Sequence, residues 1–391
     1  MKVLIYSTYV PGGVDGTSNV SRNLIPALSG RGIDVTICAS GVNWPDDEIR
    51  AQRSSKVRIY KSWFNNNADL CPGMFLYFLK NIKKYDVVQL DGIYNLPTIV
   101  GAYCARLYNV PYIICPRGAK VPEKNSECEV SNPGLKSVFF RLFSKRAMEG
   151  ASSIVWSSGL EKTQLCEDTP KNRHVIISDA INAEDYSKNV SSVLLKDKLG
   201  IAAGEKFFLF LGRLSQEKGL IFLLDVWEGL LKEKSGARLV IAGPDCNGYI
   251  ERVKDRVSEL SIPESVIFAG TVTGDLKLSL LRNCECLLLP SDNESFGIVV
   301  LEALASGVPV ISSRNTPWNC LEEHGFGKWL IKDKSVWKKA MLDIMGESSF
   351  KREGFAEQSH KWVSDNYSWS KTAGLYAGLY DSMAGIHAVS K

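Results

Sequence analysis

The sequence lacks the marks of several protein classes. Nowhere do about 18 apolar residues follow one another, so no helix is predicted to span a membrane. There are only four histidines, without ligand-like spacing, and the ten cysteines are scattered. The one close pair, Cys284 and Cys286, has a spacing that is poor for zinc. The chain has no repeat and no low-complexity tract. These absences favour a cytosolic globular protein with buried, reduced thiols over a membrane, zinc or disulfide-stapled protein.

What is present indicates two domains. A chain of 391 residues exceeds what one hydrophobic core usually serves. Hydrophobic residues make up 45% and charged residues 23%, which are values of a soluble globular protein. The net charge of +4 is unevenly spread, because residues 1–180 carry 22 Lys and Arg against 16 Asp and Glu, whereas residues 181–391 carry 25 against 27. The first half is therefore the one suited to an anionic partner, and no nucleic-acid partner is expected.

Short apolar runs rich in β-branched residues alternate with segments of helical spacing along the whole chain. The first series is "KVLIYS", "DVTICAS", "DVVQLDG", "PYIICP" and "SIVWSS", and the second is "KFFLFLG", "ARLVIAG", "SVIFAG", "CECLLLP" and "GVPVISS". Near-continuous apolar strands are typical of parallel sheets that are covered on both faces. The sequence therefore predicts the α/β class, with two Rossmann-like doubly wound domains that face a central cleft.

The domains are predicted at residues 1–180 and 181–367, with a polar linker within 177–192. The last segment, 368–391, has one apolar and aromatic stripe at helical spacing, which consists of Trp369, Thr372, Tyr376, Leu379, Tyr380 and Met383. Such a stripe is a packing face. We expect this helix to pack back on the first domain.

Three strands of the second half end in glycine. In "FLFLGRLSQEKGL" the strand ends at Gly212, and Arg213 and Lys218 follow near the start of a helix, which is typical of a phosphate site. Gly243 and Gly270 end the next two strands, in "LVIAGPD" and "VIFAGTV". Each turn taken alone also fits a solvated loop with surface cations. Because the carboxyl ends of parallel strands share one sheet edge, the three together predict a ligand site.

The stretch "LLLPSDNESFGIVVLEALASGVPVI" adds two carboxylates to this edge. The helix is predicted to begin near Phe296 or Gly297, with Glu294 just before it and Glu302 about two turns further along. One glutamate can accept from sugar hydroxyls and the other from a ribose, while amides at the helix start can bind phosphate oxygens. Glutamates are common on helices, so their spacing supports a site only because it follows the glycine-ended strands.

These motifs in combination resemble the retaining glycosyltransferases of family 4, the glycosyl transferases group 1, which have the GT-B fold. In the second half the resemblance rests on "GRLSQEKG", "VIAGPD", "VIFAGTVTGDLK", "ESFGIVVLE" and "ASGVPVISSRNTPW". In the first half it rests on "PGGVDGTSNVSRNLIPALSGRGIDVTI", "DVVQLDGIYNLP" and "VPYIICPRG". It covers nearly the whole chain, and the "PRG" and "TPW" sequences resemble one subgroup of the family.

The resemblance implies a role for each matching residue. Arg213 and Lys218 would bind the donor diphosphate, Glu302 the ribose, and Glu294 the donor sugar beside its anomeric carbon. Glu294, Arg213 and Lys218 would then be the catalytic residues. The donor-binding set also includes Gly12, Gly13, Gly243, Gly270, Thr271, Ser295, Phe296, Gly297 and Ile298. In this family the leaving phosphate oxygen is thought to help deprotonate the acceptor on the same face, which retains configuration, and neither a metal nor a cofactor is expected.

The acceptor side departs from the common family pattern. Many relatives have histidine where this chain has Gln89 and Asp91, and histidine followed by glycine where it has Arg117 and Gly118. The side chain near the sugar 6-hydroxyl is therefore different here. Asp91, Tyr94, Arg117 and Gly118 are the candidates for contact with the acceptor or the sugar.

The segment "GLKSVFFRLFSKRAM", residues 134–148, is both apolar and basic. Its apolar residues at helical spacing are Leu135, Val138, Phe139, Leu142 and Phe143, and its basic residues are Lys136, Arg141, Lys145 and Arg146. A core helix with a solvated basic face explains this pattern, and so does a helix that contacts an anionic membrane surface.

The motifs and the resemblance together imply a cytoplasmic hexosyltransferase-type enzyme, either free in the cytoplasm or peripheral on the inner face of the membrane. It would move a sugar from a UDP- or GDP-linked donor to a hydroxyl of a growing lipid-linked glycan, in the biosynthesis of cell-surface polysaccharide such as lipopolysaccharide. A nucleotide-sugar epimerase or hydrolase of the same fold and a non-catalytic sugar-binding protein are alternatives. A dinucleotide dehydrogenase is disfavoured, because no GxGxxG follows a strand.

Overall fold

The chain forms two compact units. A computed structural model describes residues 1–7, 16–41, 56–63, 69–119, 138–165, 173–188, 190–191, 193–234, 236–346 and 350–389. Unit 1 comprises Met1–Ala180 together with Trp369–Lys391, and unit 2 comprises Ile181–Ser368. Within the described ranges, no helix is both long and apolar enough to cross a bilayer.

Unit 1 contains a seven-stranded parallel sheet. Its strands in chain order are β1 (Lys2–Ser7), β2 (Asp34–Gly41), β3 (Val57–Lys61), β4 (Val87–Asp91), β5 (Tyr112–Cys115), β6 (Ser153–Trp156) and β7 (His174–Ile176). They lie in the order β3-β2-β1-β4-β5-β6-β7, so the sheet grows in both directions from β1. Val3 is in register with Val35 on one side and with Val87 on the other, and all three side chains are buried.

The helices of unit 1 cover this sheet. They are α1 (Gly16–Ser29), α2 (Pro72–Asn81), α3 (Leu96–Leu107), α4 (Lys145–Gly150) and α5 (Gly159–Leu165), and short helical turns span Ile82–Lys84 and Phe140–Ser144. Asn95 caps α3, because its side chain accepts a hydrogen bond of 2.9 Å from the Thr98 amide. Phe78 and Ile82 are fully buried in the core beneath these helices.

The chain's last helix also belongs to unit 1. It follows unit 2 in sequence, at Trp369–Val389 (α14). Five members of the apolar stripe are buried, namely Trp369, Thr372, Tyr376, Tyr380 and Met383. The Tyr380 hydroxyl donates to Gln89 Oε1 of β4 at 2.5 Å, and the Thr372 hydroxyl donates to the Ser178 carbonyl at 3.2 Å.

Unit 2 contains a six-stranded parallel sheet. Its strands are β8 (Lys206–Leu211), β9 (Ala237–Ala242), β10 (Val266–Gly270), β11 (Cys286–Leu289), β12 (Val310–Ser313) and β13 (Gly327–Leu330). Its helices are α6 (Val193–Leu199), α7 (Leu220–Leu231), α8 (Tyr249–Glu259), α9 (Gly274–Asn283), α10 (Ile298–Ala305), α11 (Cys320–Glu323), α12 (Lys334–Gly346) and α13 (Phe350–Asn366). Short 3-10 turns lie at Ala183–Tyr186, Gln216–Lys218 and Pro263–Ser265. Strands β11 and β12 are buried along their whole length, and β8 is buried after Lys206, because helices cover both faces.

The strand order of unit 2 defines where a ligand can bind. The order is β10-β9-β8-β11-β12-β13, so the chain leaving β8 turns towards β9 and the chain leaving β11 turns the other way, towards β12. Between β8 and β11 the two connections diverge and leave a crevice at the carboxyl edge of the sheet. The predicted α/β class with two parallel sheets is thus confirmed.

Candidate active site

Lys218 and Glu294 meet at the divergence between β8 and β11. The Lys218 Nζ lies 2.6 Å from Glu294 Oε2, and the two side chains are only 14% and 11% exposed. Lys218 ends the 3-10 turn after β8, and Glu294 belongs to the loop after β11. The structure therefore brings together a cation and a carboxylate that are 76 residues apart, at the edge where α/β proteins bind ligands.

Gly219 lets these two loops approach each other. Its φ is +71°, in the left-handed region that favours glycine. A Cβ atom at this position would overlap the carbonyl oxygen of Pro290, the residue that follows β11. The Asp292 amide also donates to the Glu217 carbonyl at 2.7 Å. The backbone contact therefore fixes the distance between the lysine loop and the glutamate loop.

The loop that carries Glu294 is braced from behind. Gly297 has a φ of +85°, and its α-carbon faces Glu294 and the indole of Trp318. The Trp318 Nε1 donates to the Phe296 carbonyl at 2.5 Å, and the Trp318 and Phe296 rings are 5.2 Å apart. The Ser291 hydroxyl donates to Glu294 Oε2 at 3.2 Å. Trp318 of the "TPW" sequence thus supports the glutamate loop.

Helix α10 begins immediately after this loop. Gly297 is its N-cap and has no side chain to accept from the first amides. Ser295, Gly297 and Ile298 are half-buried, and Phe296 is buried. The start of α10 thus adds the partial positive charge of a helix N-terminus next to Lys218 and Glu294. The predicted helix start near Phe296 or Gly297 agrees with the structure to within two residues.

Glu302 pairs with a cation other than Arg213 and Lys218, the two that the sequence predicts at this edge. Glu302 lies on the second turn of α10 and is buried. Its Oε1 is 2.7 Å from Lys277 Nζ on α9 and accepts a hydrogen bond of 2.8 Å from the Tyr186 hydroxyl. Burial and the Glu302 charge raise the pKa of Tyr186, so the phenol stays protonated and acts as the donor.

Arg213 is the exposed member of the site. Its side chain is 60% exposed and its Nη2 lies 3.6 Å from Glu217 Oε1. The strand before it, β8, ends at Leu211, and the amide of the next residue, Gly212, donates to the Ala242 carbonyl at 3.0 Å. Arg213 thus lies just after β8, on the β8 side of the crevice, and its exposed side chain has room to turn towards a ligand.

The three glycine-ended strands lie side by side in the order β10-β9-β8, as expected from the sequence. The Gly243 amide donates to the Gly270 carbonyl at 2.7 Å, and a Cβ on Gly243 would collide with the Gly212 carbonyl. Gly270 is exposed with a φ of +64°, and Thr271 beside it is exposed as well. Because glycine has no Cβ, the backbones at these strand ends can approach one another closely, and the ends of β9 and β10 stay accessible to a ligand.

The candidates for acceptor contact lie at the carboxyl edge of the unit 1 sheet. Asp91 ends β4, and Arg117 and Gly118 follow β5. The Arg117 Nη1 is 2.8 Å from Asp179 Oδ1, and its Nε is 3.6 Å from Asp91 Oδ2. The Gly118 amide donates to Glu161 Oε1 at 2.5 Å. The "PRG" sequence is thus anchored by three buried or half-buried carboxylates of the same unit.

Arg117 is held tightly and still has donor capacity. Its side chain is 11% exposed and its φ is +55°. Its Nε and Nη2 are buried and make no hydrogen bond to any residue in the described ranges. Tyr94 is half-buried with its ring 6.2 Å from that of Phe140, and burial raises the pKa of the Tyr94 hydroxyl. Gly12 and Gly13 lie outside the described residues.

No pattern in the sequence predicts Lys277, Tyr186 or Trp318 as contacts of the site. Lys277 lies in "TGDLKLSLL", where an isolated lysine usually marks the solvated side of a helix. Tyr186 lies in the polar linker, and Trp318 served only as a subgroup marker. Across the described part of the chain, no three His, Cys, Asp or Glu side chains are grouped as metal ligands.

Comparisons with known proteins find chains of similar sequence and fold. Residues 193–362 match the family model described as "Glycosyl transferases group 1". An uncharacterized glycosyltransferase of Methanocaldococcus jannaschii is 25% identical over 390 residues, covering 95% of both chains. The alpha-monoglucosyldiacylglycerol synthase of Streptococcus pneumoniae is 36% identical over 175 residues, which is 44% of this chain and 39% of that one. The solved structure of HepE from Anabaena, in complex with UDP and glucose, has a TM-score of 0.75 at 17% identity and covers 98% of this chain and 100% of its own.

Proposed function

We propose that this protein is a glycosyltransferase of group 1, which moves a hexosyl residue from a nucleotide-diphosphate sugar to an acceptor hydroxyl with retention of configuration. The observation that carries the proposal is the largely buried Lys218–Glu294 pair at the divergence of β8 and β11. A cation, a carboxylate and a helix N-terminus at one sheet edge match the diphosphate and the hydroxyls of an activated sugar.

The ion pair is the ligand-free form of the donor site. When a diphosphate enters, its oxygens compete with Glu294 for the Lys218 ammonium. Glu294 is then released to accept a hydrogen bond from a hydroxyl of the donor sugar. Arg213, which is 60% exposed, can turn towards the second phosphate, because its only close carboxylate in the described residues is Glu217 at 3.6 Å. Gly243, Gly270 and Thr271 would line the far side of the nucleotide.

The reaction breaks the bond between the anomeric carbon and the phosphate oxygen. A bond from the acceptor oxygen to the anomeric carbon forms on the same face, and the acceptor proton passes to the leaving phosphate oxygen. Negative charge develops on the diphosphate as this bond breaks, before the acceptor proton neutralises it. Lys218, Arg213 and the amides at Ser295 to Ile298 would stabilise that charge, which is the largest electrostatic demand of the transition state. No protein base and no metal ion is required in this scheme.

The nucleoside of the donor is proposed to be uridine or guanosine. The HepE structure holds UDP and glucose in the same fold, which supports a uridine nucleotide. On the acceptor side, we assign Asp91, Tyr94 and the "PRG" residues Arg117 and Gly118 to the growing glycan, because they end β4 and β5 at the ligand-binding edge of unit 1.

We also propose that the acceptor is lipid-linked and that unit 1 contacts an anionic membrane at the cytoplasmic face. Val138, Leu142 and Phe143 are 53%, 48% and 42% exposed, next to exposed Arg141 and Arg146. Neighbouring α2 and α3 expose further large apolar side chains, namely Leu76, Leu79, Tyr103 and Leu107. Apolar side chains among basic ones are typical of a surface that binds anionic lipid. The pneumococcal relative is named for a glucosylated diacylglycerol, which is compatible with a lipid acceptor.

Vesicle binding tests the membrane contact. Reversing the charge of Arg141, Lys145 and Arg146 to glutamate should reduce sedimentation with vesicles of anionic lipid and leave it unchanged with neutral vesicles. The reversal of three exposed lysines on α12 to α13, such as Lys334, Lys339 and Lys361, is the matched control in unit 2. Equal loss in both triple variants would refute a specific surface on unit 1.

Donor turnover tests the chemical proposal. Purified protein is incubated with UDP- and GDP-linked hexoses, with and without a lipid-linked glycan extract, and products are read by NMR for anomeric configuration. We expect transfer with retention that persists in EDTA. Lys218→Met should lower kcat/KM about 100-fold or more, as for loss of a transition-state donor, whereas Lys338→Met should not. Inverted product would refute retention, and donor turnover without acceptor would indicate the epimerase or hydrolase.

A further inference from the structure

The chain's last helix reaches the end of β4 through two buried hydrogen bonds. The Tyr380 hydroxyl on α14 donates to Gln89 Oε1 at 2.5 Å. The Gln89 Nε2 donates in turn to Asp91 Oδ1 at 3.1 Å. Tyr380, Gln89 and Asp91 are 0%, 1% and 2% exposed. A phenol on the last helix is thus connected to a carboxylate at the carboxyl end of a central strand.

The direction of these hydrogen bonds follows from the groups that make them. Gln89 and Asp91 are two residues apart on β4, so their side chains lie on the same face of the sheet, against which α14 packs. A carboxylate only accepts, so the Gln89 amide nitrogen must face Asp91 and its carbonyl oxygen must face Tyr380. Burial raises the pKa of Tyr380 well above its usual range, which keeps the phenol protonated as a donor. The Tyr380 hydroxyl therefore determines which way the Gln89 amide points.

The Asp91 carboxylate needs neighbours that set its rotation. The last torsion of an aspartate side chain has only a broad, two-fold preference of its own. Gln89 binds Oδ1, whereas the Arg117 Nε is 3.6 Å from Oδ2, which is longer than a hydrogen bond. Arg117 makes its short contact, of 2.8 Å, with Asp179 instead. We therefore expect the hydrogen bond from Gln89 to hold the carboxylate more firmly than Arg117 does.

Asp91 lies where the connections of the unit 1 sheet diverge. The strand order is β3-β2-β1-β4-β5-β6-β7, so the chain leaving β1 turns towards β2 and the chain leaving β4 turns towards β5. The crevice between two such strands, at their carboxyl ends, is where open α/β sheets bind ligands. The orientation of the Asp91 carboxylate therefore matters for binding at this edge, and Tyr380 acts on it only through Gln89.

We propose that Tyr380 and Gln89 are positioning residues, which orient the Asp91 carboxylate to accept a hydrogen bond from an acceptor hydroxyl. The inference rests on the proposed function, which assigns Asp91 to the growing glycan. It gives the return of α14 to unit 1 a role in acceptor binding in addition to packing.

Tyr380→Phe tests this relay, because it removes one hydroxyl and keeps the ring. Transfer is measured with a saturating UDP- or GDP-linked hexose while a lipid-linked glycan extract is varied by dilution. The kcat/KM for the acceptor should fall about 10-fold or more, since a displacement of about 1 Å can cost 100-fold. Most of the loss should appear in KM for the acceptor. The KM for the donor and the calorimetric dissociation constant for UDP or GDP should not change.

Tyr112→Phe is the matched control for the loss of a buried hydroxyl. Tyr112 is 2% exposed, and its hydroxyl donates to the Ala147 carbonyl at 2.6 Å. It begins β5, so it lies at the opposite edge of the sheet from Asp91. The melting temperatures of Tyr112→Phe and Tyr380→Phe should fall by similar amounts. Only Tyr380→Phe should lose kcat/KM for the acceptor.

Two further variants show whether Tyr380 acts through Gln89. Gln89→Met keeps the length of the side chain and removes both hydrogen bonds, so it should lower kcat/KM for the acceptor at least as much as Tyr380→Phe. The double variant should lose no more than Gln89→Met alone. Tyr376→Phe, one turn earlier on the same face of α14, removes only a contact of 3.8 Å with the Cys115 Sγ and should keep the kinetics of wild type.

The outcomes separate this inference from the proposed function. An unchanged kcat/KM for the acceptor in folded Tyr380→Phe would overturn the inference and leave the transferase standing. An equal loss of acceptor and donor binding would also overturn it, and so would a double variant whose losses add. If Tyr380→Phe does not fold, Gln89→Met decides, and its unchanged kinetics would overturn the inference. A wild-type protein without transfer activity would overturn the proposed function, and the inference with it.

Discussion

Replacing Gly297 by alanine should damage catalysis far more than stability. The residue has a φ of +85°, and an alanine there would pay about 1–2 kcal/mol for the left-handed conformation. Its Cβ would also lie 3.1 Å from Glu294 Cγ and 3.2 Å from Trp318 Nε1, which is too close for ordinary contact. The Glu294 side chain is flexible and moves more easily than the indole ring of Trp318. The carboxylate is therefore expected to shift by a few tenths of an ångström away from Lys218.

Gly204→Ala provides the matched control. Gly204 has a φ of +81° with open space around its α-carbon, and it precedes β8 at the opposite edge of the sheet. Urea unfolding should show a similar loss of stability in both variants, about 1–2 kcal/mol. Only Gly297→Ala should lose transfer activity, by about 10-fold or more in kcat, because a displacement of about 1 Å can cost 100-fold. If both variants kept full turnover, the positioning of Glu294 by this glycine would be refuted.

Two further predictions concern ion pairs. In a double-mutant cycle, Lys218→Met and Glu294→Gln should each destabilise unit 2, and the double variant should be more stable than the sum of the two single losses implies, by about 1–3 kcal/mol. Additive losses of stability would contradict a direct pair. Full transfer activity in Glu294→Gln would contradict the catalytic role of Glu294. Burial opposes ionisation of Asp225, but hydrogen bonds from Lys334 and Arg256 outweigh it and lower its pKa. A carboxylate whose pKa is lowered by folding stabilises the fold at pH values above its pKa in the unfolded chain, so Asp225→Asn should be less stable than wild type at pH 7. The difference should fade below about pH 4. Urea unfolding at both pH values checks this, and a difference in stability that does not depend on pH would refute it.

The architecture was predictable because the sheets are buried on both faces. Strands such as "KFFLFL" and "ARLVIA" are apolar throughout, which marks parallel strands between helices. Gly212, Gly243 and Gly270 lie at neighbouring strand ends or one residue beyond them, which local sequence alone predicts. The reason is that parallel strands must all end at the same edge, so local patterns suffice for this part of the site.

The contacts that hold the carboxylates were not predictable in the same way. Lys218 and Glu294 are 76 residues apart, and Tyr186 and Glu302 are 116 apart. Such pairs depend on how α9, α10 and the Ala183–Tyr186 turn pack, and this packing leaves no periodic trace in the sequence. From the sequence, Arg213 and Lys218 are the two cations predicted at the site of Glu294 and Glu302. In the structure, Glu302 is paired with Lys277.

Ligand-induced stabilisation tests the central claim, that Lys218 and Glu294 form a site for a nucleotide-diphosphate sugar. Wild type and Lys218→Met are heated with a panel of UDP- and GDP-linked sugars, with Lys338→Met as the control. One nucleotide series should stabilise wild type and Lys338→Met, by about 2.7 kcal/mol when the ligand is at 100 times its dissociation constant, and should stabilise Lys218→Met much less. Stabilisation of all three proteins to the same extent, or of none, would contradict the claim.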